Sequence, residues 1–455
     1  MLILADDLDW KLWREIPRLH ALEQAGSVLS DYVVSDSLCC PSRTTIFRGQ
    51  YVHNHQVVSN DARRGGGWVA FRDRGYPRNS LGPWLHQAGI RTGLIGKFLN
   101  GYPDSPTEQT QAQPGWDTFI VPISRLNEYN GYDYTLNDNG TLEPHGHDST
   151  DFLNDVLDTK AEAFITSGRS PFFLELASFT PHLPAPVAPR HLGSHTGDSA
   201  PRDQSFGAAV FDPPSWLRGL PPLTSRSMHH MDRLWQKRAE SAESVADSVD
   251  AVHAALMRSG HLNDTLVIVT SDNGFHVGSY RTHWGKRTAF DTDVVVPAVL
   301  IGPGIPAGRV IDAVTSETDI APTVLAVYGR EPPEWFDGRS WLPLLAKSSR
   351  TSSQDPIWRT GTISESLDAP QPGDPDYELI QPATFIALRT HHWLFVRSTA
   401  GEEELYDRLA DPMEIRNVIN ETPTRIVTAL RQQLLALHRC AGRGCRYADS
   451  RPEPV

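Results

Sequence analysis

Short apolar runs alternate along the chain with stretches whose apolar positions recur at helical spacing, a pattern that predicts layered α/β architecture. Residues 1–4, 91–95, 171–178, 265–270 and 294–301 read as strands. The run Thr-Leu-Val-Ile-Val-Thr at 265–270 is apolar on both faces, as a buried parallel strand would be. Before it, Val245, Val249, Val252 and Leu256 fall at helical spacing with Asp and Glu opposite, and Gly260 follows as a C-cap. Residues 185–222 are rich in Pro, Gly and Ser and predict irregular surface structure. Residues 338–345 read as the end of a main domain, and 348–356 as a polar connection. A strand at 392–396 and a helix at 424–438 belong to a smaller α+β domain with an antiparallel sheet. The expected division is therefore 1–345 and 346–455.

The polar residues that directly follow the strands change this from a fold to a site. Asp6 and Asp7 follow the first strand, Lys97 the second, His182 the third, and Asp272 and Asn273 the fourth. Open α/β sheets bind ligands at the carboxyl ends of their strands, so these groups should converge on one crevice. Asp6, Asp7, Asp272 and Asn273 offer only oxygen, which favours calcium or magnesium over zinc. Taken singly, each pair would be an N-cap or a tight turn. Next, Cys39 and Cys40 precede Pro41, Ser42 and Arg43. Pro41 suits the first turn of a helix, whose N-terminus favours anions, and Arg43 adds a planar cation. The bland alternative is two inert buried cysteines.

Composition narrows the classes. The 455 residues carry a net charge of -13, which argues against a nucleic-acid partner. It leaves room for an anionic substrate bound by local cations. No apolar run reaches the length of a membrane span. There is no signal peptide, and the strand-like opening suggests that upstream residues precede it; an exported protein is expected, with a cytoplasmic one as the alternative. Cys440 and Cys445 are either a disulfide or two reduced thiols, and the sequence leaves both open.

The run Cys39-x-Pro41-Ser42-Arg43 resembles the signature of the type I, formylglycine-dependent sulfatases. So do the opening strand with Asp6-Asp7, Gly96-Lys97, Thr180-Pro181-His182, the strand ending in Ser271-Asp272-Asn273-Gly274, and Gly285-Lys286. Glu404-Leu405-Tyr406-Asp407 with Asp411-Pro412 is similar to the family's C-terminal domain. Cys39-Cys40, Tyr51-x-His53-Asn54-His55, Gly96-Lys97-Phe98-Leu99-Asn100 and the late cysteine pair resemble N-acetylglucosamine-6-sulfatases and related glycosaminoglycan sulfatases.

The resemblance implies an alkaline-phosphatase-like sandwich, with a large, mostly parallel mixed sheet flanked by helices. It implies that a formylglycine-generating enzyme converts Cys39 to formylglycine, whose hydrate attacks sulfur beside one calcium ion. Asp6, Asp7, Asp272 and Asn273 would hold the metal together with residue 39. Arg43 and Lys97 would orient the nucleophile and the sulfate. His182 and Lys286 would bind sulfate, one of them protonating the leaving oxygen. The expected substrate is a carbohydrate O-sulfate, N-acetylglucosamine 6-sulfate first, with His53, His55, Trp68 and Trp284 on polar loops around it. Many relatives carry a histidine two residues after the first lysine. Leu99 stands there in this chain, leaving Asn100 or His276 as substitutes. A phosphoester or phosphonate hydrolase of the same superfamily is the alternative enzyme, and a binding protein with unmatured Cys39 the alternative to catalysis.

Overall fold

The computed structural model describes residues 1–123, 127–168, 170–346, 358–372, 377, 380 and 382–454. A ten-stranded mixed sheet forms its centre. Its middle five strands run Val267–Ser271, Leu2–Ala5, Phe172–Ala177, Arg91–Gly96 and Thr118–Pro122, all parallel. Antiparallel strands extend both sides: Ala298–Ile301 beside Val267–Ser271, and Thr135–Asp138 beside Thr118–Pro122. The apolar segment at 294–301 becomes a strand only at Ala298, because residues 291–294 close a short helix first.

Why these runs are strands is visible in their burial. Leu2 and Leu4 pack into the core on one face, Ile3 and Ala5 into the core on the other. Helices cover both faces, so the two-residue alternation of the pleat finds apolar surroundings each way. The helix expected around Val245–Leu256 runs from Ser225 to Ser259, capped by Thr224 and ended by Gly260 in the left-handed region. Met231, Trp235, Ala242, Val249 and Val252 form its buried stripe. Between 185 and 224 the only helix or strand is one short 3-10 turn, Pro189–His191, as the Pro and Gly content predicts.

A second sheet of four antiparallel strands, Gly361–Ser366, Phe385–Thr390, Trp393–Ser398 and Glu403–Asp407, follows in sequential order. The helix Thr424–His438 packs on it through Leu430, Leu434 and Leu437. The polar connection expected at 348–356 lies outside the described residues. Cys440 and Cys445 are joined in a disulfide. Among the described residues, no helix is long and apolar enough to cross a membrane.

Candidate active site

The strand order places the chemistry. Neighbouring strands end, in turn, in Asp272-Asn273, Asp6-Asp7, the loop to His182, and Lys97. Hydrogen bonds continue the ladders past the strand ends, from the Asp272 amide to the Ala5 carbonyl (3.2 Å) and from the Lys97 amide to Ala177 (2.8 Å). Gly96 permits the latter: its φ is +112°, and a Cβ there would lie 1.9 Å from the Ala177 carbonyl oxygen.

The helix Cys39–Arg48 faces these ends, with every residue buried. Leu38 precedes it in extended conformation, and the first intrahelical bond is Ser42 N–H to the Leu38 carbonyl (3.1 Å). Pro41 sits among the positions whose N–H would have no helical partner anyway. Helical spacing then sorts the side chains. Cys39 and Arg43, four apart, turn to the strand ends, whereas Cys40 and Phe47 enter the apolar core. Burial pushes the Cys40 thiol up to about 12, so it stays protonated and packs as a small apolar group.

Around Cys39 the charges are dense. Its Sγ lies 3.7 Å from Asp6 Oδ1 and 3.2 Å from Lys286 Nζ. Lys286 also reaches Asp7 Oδ1 at 2.8 Å, and Lys97 pairs with Asp6. Burial is the largest single effect on the Lys97 ammonium and works against it, but the groups around it, Asp6 foremost, together hold the pKa well above the ordinary lysine value. Asn273 Nδ2 donates to Asp7 Oδ1 (2.6 Å). Arg43 donates from Nε to Asp272 Oδ2 (2.9 Å) and from Nη1 to the Lys97 carbonyl (3.1 Å). It thus links two strand ends as well as supplying charge. His182 donates from Nδ1 to the Leu183 carbonyl (2.6 Å), which leaves Nε2 facing Asp7 Oδ2 at 3.7 Å. Ligating atoms of Asp6, Asp7, Cys39 and His182 all lie within 4.8 Å of one another. Among the described residues, none donates a hydrogen bond to the buried Asn273 Oδ1. An orphaned amide oxygen beside two carboxylates fits a hard divalent cation.

Every residue expected from the sequence at the crevice is there: Asp6, Asp7, Cys39, Arg43, Lys97, His182, Asp272, Asn273 and Lys286. Of those expected around the pocket, His53 and His55 are turned elsewhere, and His276 and Trp284 make contacts of their own. His55 is fully buried behind the signature helix, bonded to Thr45 Oγ1 and to the Val57 amide, and burial lowers its pKa to about 3. His53 pairs with Glu365 and the Cys440 carbonyl. His276 pairs with Asp293, and Trp284 packs against His230 and His283. Trp68 does line the cleft, a cavity of about 800 Å³ shared with Lys97, His182, Asn100, Glu128 and Tyr129.

Sequence reasoning missed the supports. Arg238, on the long helix, is fully buried and donates to the Asp7 carbonyl and to Asp9 Oδ2 (3.3 Å). Glu317 is fully buried behind the signature helix and accepts from Ser42 Oγ (2.5 Å), Ser35 Oγ (2.8 Å) and the Ser35 amide (3.1 Å). Burial holds its carboxyl well above the usual range despite those donors. Tyr129 packs its ring 4.8 Å from that of His182, with Lys97 Nζ 5.2 Å over its face. The one available signal was for Arg238: a charge falling on the apolar stripe of a helix.

Comparisons agree with this geometry. Residues 1–329 match the family model described as Sulfatase, and 278–440 match N-sulphoglucosamine sulphohydrolase, C-terminal. N-acetylglucosamine-6-sulfatase of Capra hircus is 28% identical over 98% of this chain and 84% of its own length. An extracellular sulfatase SULF-1 homolog of Drosophila melanogaster is 33% identical over 80% of this chain and 33% of its own. A solved structure in complex with its substrate D-glucosamine-2-N,6-O-disulfate superposes with a TM-score of 0.79 at 19% identity, covering 99% of this chain and 98% of that one. The phosphonate monoester hydrolase of Silicibacter pomeroyi shares the fold, with a TM-score of 0.72 at 22% identity over 98% and 96%. Membership of the family implies its usual formylglycine and metal ion. The chain belongs to the sulfatase family and is a sulfate ester hydrolase.

Proposed function

We propose that this sulfatase removes sulfate from a carbohydrate O-sulfate, with N-acetylglucosamine 6-sulfate the first candidate. The nucleophile would arise from Cys39 as formylglycine, beside a calcium ion held by Asp6, Asp7, Asp272 and Asn273. One observation carries the chemistry. Of two adjacent cysteines, only Cys39 faces the charged crevice, 3.2 Å from Lys286 Nζ.

When bound, the cation supplies Lewis acidity next to residue 39. The chain's own residues do the rest. Lys97 and Lys286, both buried, neutralise the sulfate and orient it. The N-terminus of the Cys39–Arg48 helix adds favourable potential for the anion. Arg43 and Arg238 hold the strand ends in register. His182, with Nδ1 committed to a carbonyl, can hold a proton at Nε2 for the departing alcohol oxygen.

The substrate class is supported by the relatives' names and by polar side chains such as Asn60, Asn100 and Glu128 in the cleft beside Lys97. The test is a panel of sulfated sugars, an aryl sulfate and a phosphate monoester, given to the matured protein. Turnover of a 6-sulfated glucosamine is expected. Turnover of the aryl sulfate alone overturns the carbohydrate reading, and a preference for the phosphate ester overturns the sulfate chemistry.

A further inference from the structure

Beside Lys97, one wall of the cleft holds two buried oxygen atoms that accept no hydrogen bond from the described residues. Asn100 follows the Arg91–Gly96 strand by four residues; its Nδ2 meets the Tyr129 hydroxyl at 3.5 Å, and its Oδ1 has no donor. Glu128 lies on the 3-10 turn Asn127–Asn130, is 7% exposed, and its Oε2 has no donor either. Both residues line the cleft that Lys97 and His182 also line. Tyr129 joins them to the reacting centre, through its hydroxyl on Asn100 and its ring against His182.

A buried acceptor without a donor costs about 1–3 kcal/mol, and two in one wall call for a partner. The partner's chemistry follows from what they are. Asn100 Oδ1 can only accept, and Glu128 Oε2 accepts whenever its carboxyl is ionised, so a group that completes both must donate. An anion is disfavoured here, and the sulfate belongs instead with Lys97, Lys286 and His182. What remains of a sulfate ester is its alcohol. Burial raises the Glu128 carboxyl to about 7, partly offset by its own amide and by Lys97.

We propose that Asn100 and Glu128 form the leaving-alcohol subsite, accepting hydrogen bonds from hydroxyl or amide N–H groups of the sugar that carries the sulfate. This rests on the carbohydrate reading above. A sugar presents such donors around its ring, the 4-hydroxyl of a glucosamine 6-sulfate among them; a simple aryl alcohol presents none. The subsite would therefore select between sulfate esters by the group that leaves.

The experiment measures kcat/KM for N-acetylglucosamine 6-sulfate and for 4-nitrophenyl sulfate in the matured wild type and in Asn100→Ala, Glu128→Ala and Glu128→Gln. The ratio of sugar to aryl kcat/KM should fall about tenfold or more in the two alanine variants, and less in Glu128→Gln, which keeps one acceptor oxygen. An unchanged ratio, whether both rates fall together or neither falls, overturns the subsite. Should the wild type hydrolyse the aryl ester but no sugar sulfate, the carbohydrate reading fails on its own. Competitive inhibition of the aryl reaction by free N-acetylglucosamine then decides the subsite. Inhibition lost in the alanine variants supports it, and inhibition that is absent or unaltered overturns it.

Discussion

The ammonium of Lys286 lies 3.2 Å from the thiol sulfur of Cys39, although 247 positions separate them in the chain. The same Nζ reaches Asp7 Oδ1 at 2.8 Å. One lysine thus joins the signature helix to the end of the first strand, at the point where negative charge must be neutralised.

That contact makes Lys286 and Lys97 separable from mere structural cations. Lys286→Ala and Lys97→Ala should each lower kcat/KM by roughly 10²–10³-fold, the range for losing one preorganised charge. Steady-state kinetics on any sulfate ester the wild type accepts will measure it. Wild-type rates in Lys286→Ala would remove it from the site.

The register of the two cysteines is open to direct test. Cys39→Ala should fold and be inactive, because its side chain faces the crevice. Cys40→Thr should stay active and lose about 1 kcal/mol of stability or somewhat more, since its neighbour in the core is apolar and close-packed. In a matured sample, peptide mass spectrometry should find the thiol-to-aldehyde loss at residue 39 and none at 40. An active Cys39→Ala beside a dead Cys40→Thr would reverse the register.

The metal prediction uses the oxygen donor set and the orphaned Asn273 Oδ1. Calcium should raise the melting temperature of the wild type, as any ligand of the native state does, and chelator should reverse the shift. Asp272→Ala and Asn273→Ala should weaken calcium binding in titration calorimetry and reduce the thermal shift. Zinc outcompeting calcium, or full activity in a metal-free preparation, would contradict it.

Away from the site, Glu365 accepts from the Nδ1 atoms of both His53 (2.8 Å) and His438 (2.7 Å), tying the loop after the signature helix to the second sheet and its helix. Burial opposes the Glu365 carboxylate, but the two histidines win and bring it down from 4.5 to about 2. His53 is moved up from 6.5, its burial outweighed by Glu365. The signs fix the window. A depressed carboxyl stabilises above pH 4.5 and loses that contribution as pH falls toward 2. A raised histidine stabilises below 6.5 and loses it as pH rises through its folded pKa. Glu365→Gln should therefore lower the melting temperature most between about pH 4.5 and 6.5, by an amount on the order of 3 kcal/mol at most. Thermal melts across pH will show it; a difference flat with pH would mean that the clasp holds without charge.

Some of this was written locally. Apolar runs on both faces mark the parallel strands, because a strand covered by helices has no wet side. The positions just past those strands mark the crevice; helical spacing lets only one of Cys39 and Cys40 face it, and the resemblance to the family signature, counted back from Arg43 and Pro41, singles out Cys39. The C-terminal part of the long helix, Val245 to Leu256, and its glycine end were legible from apolar spacing, whereas its first half was not. What the tertiary structure alone decided was adjacency. Nothing in the local pattern places the strand ending in Asp272 beside the one ending in Asp7, or puts Lys286 against Cys39. The first comes from strand pairing that joins Asp7 and Asp272 across 265 positions, and the second joins side chains 247 positions apart. The same holds for Arg238, Glu317 and Tyr129, whose roles exist only once distant segments meet, and for the histidines at 53 and 55, which the local polarity suggested for the pocket and the packing turned elsewhere. The cysteine pair at 440 and 445, left open by sequence, is bonded in the fold. A periodicity fixes which face a side chain takes. Only the packing of the whole sheet fixes what that face meets.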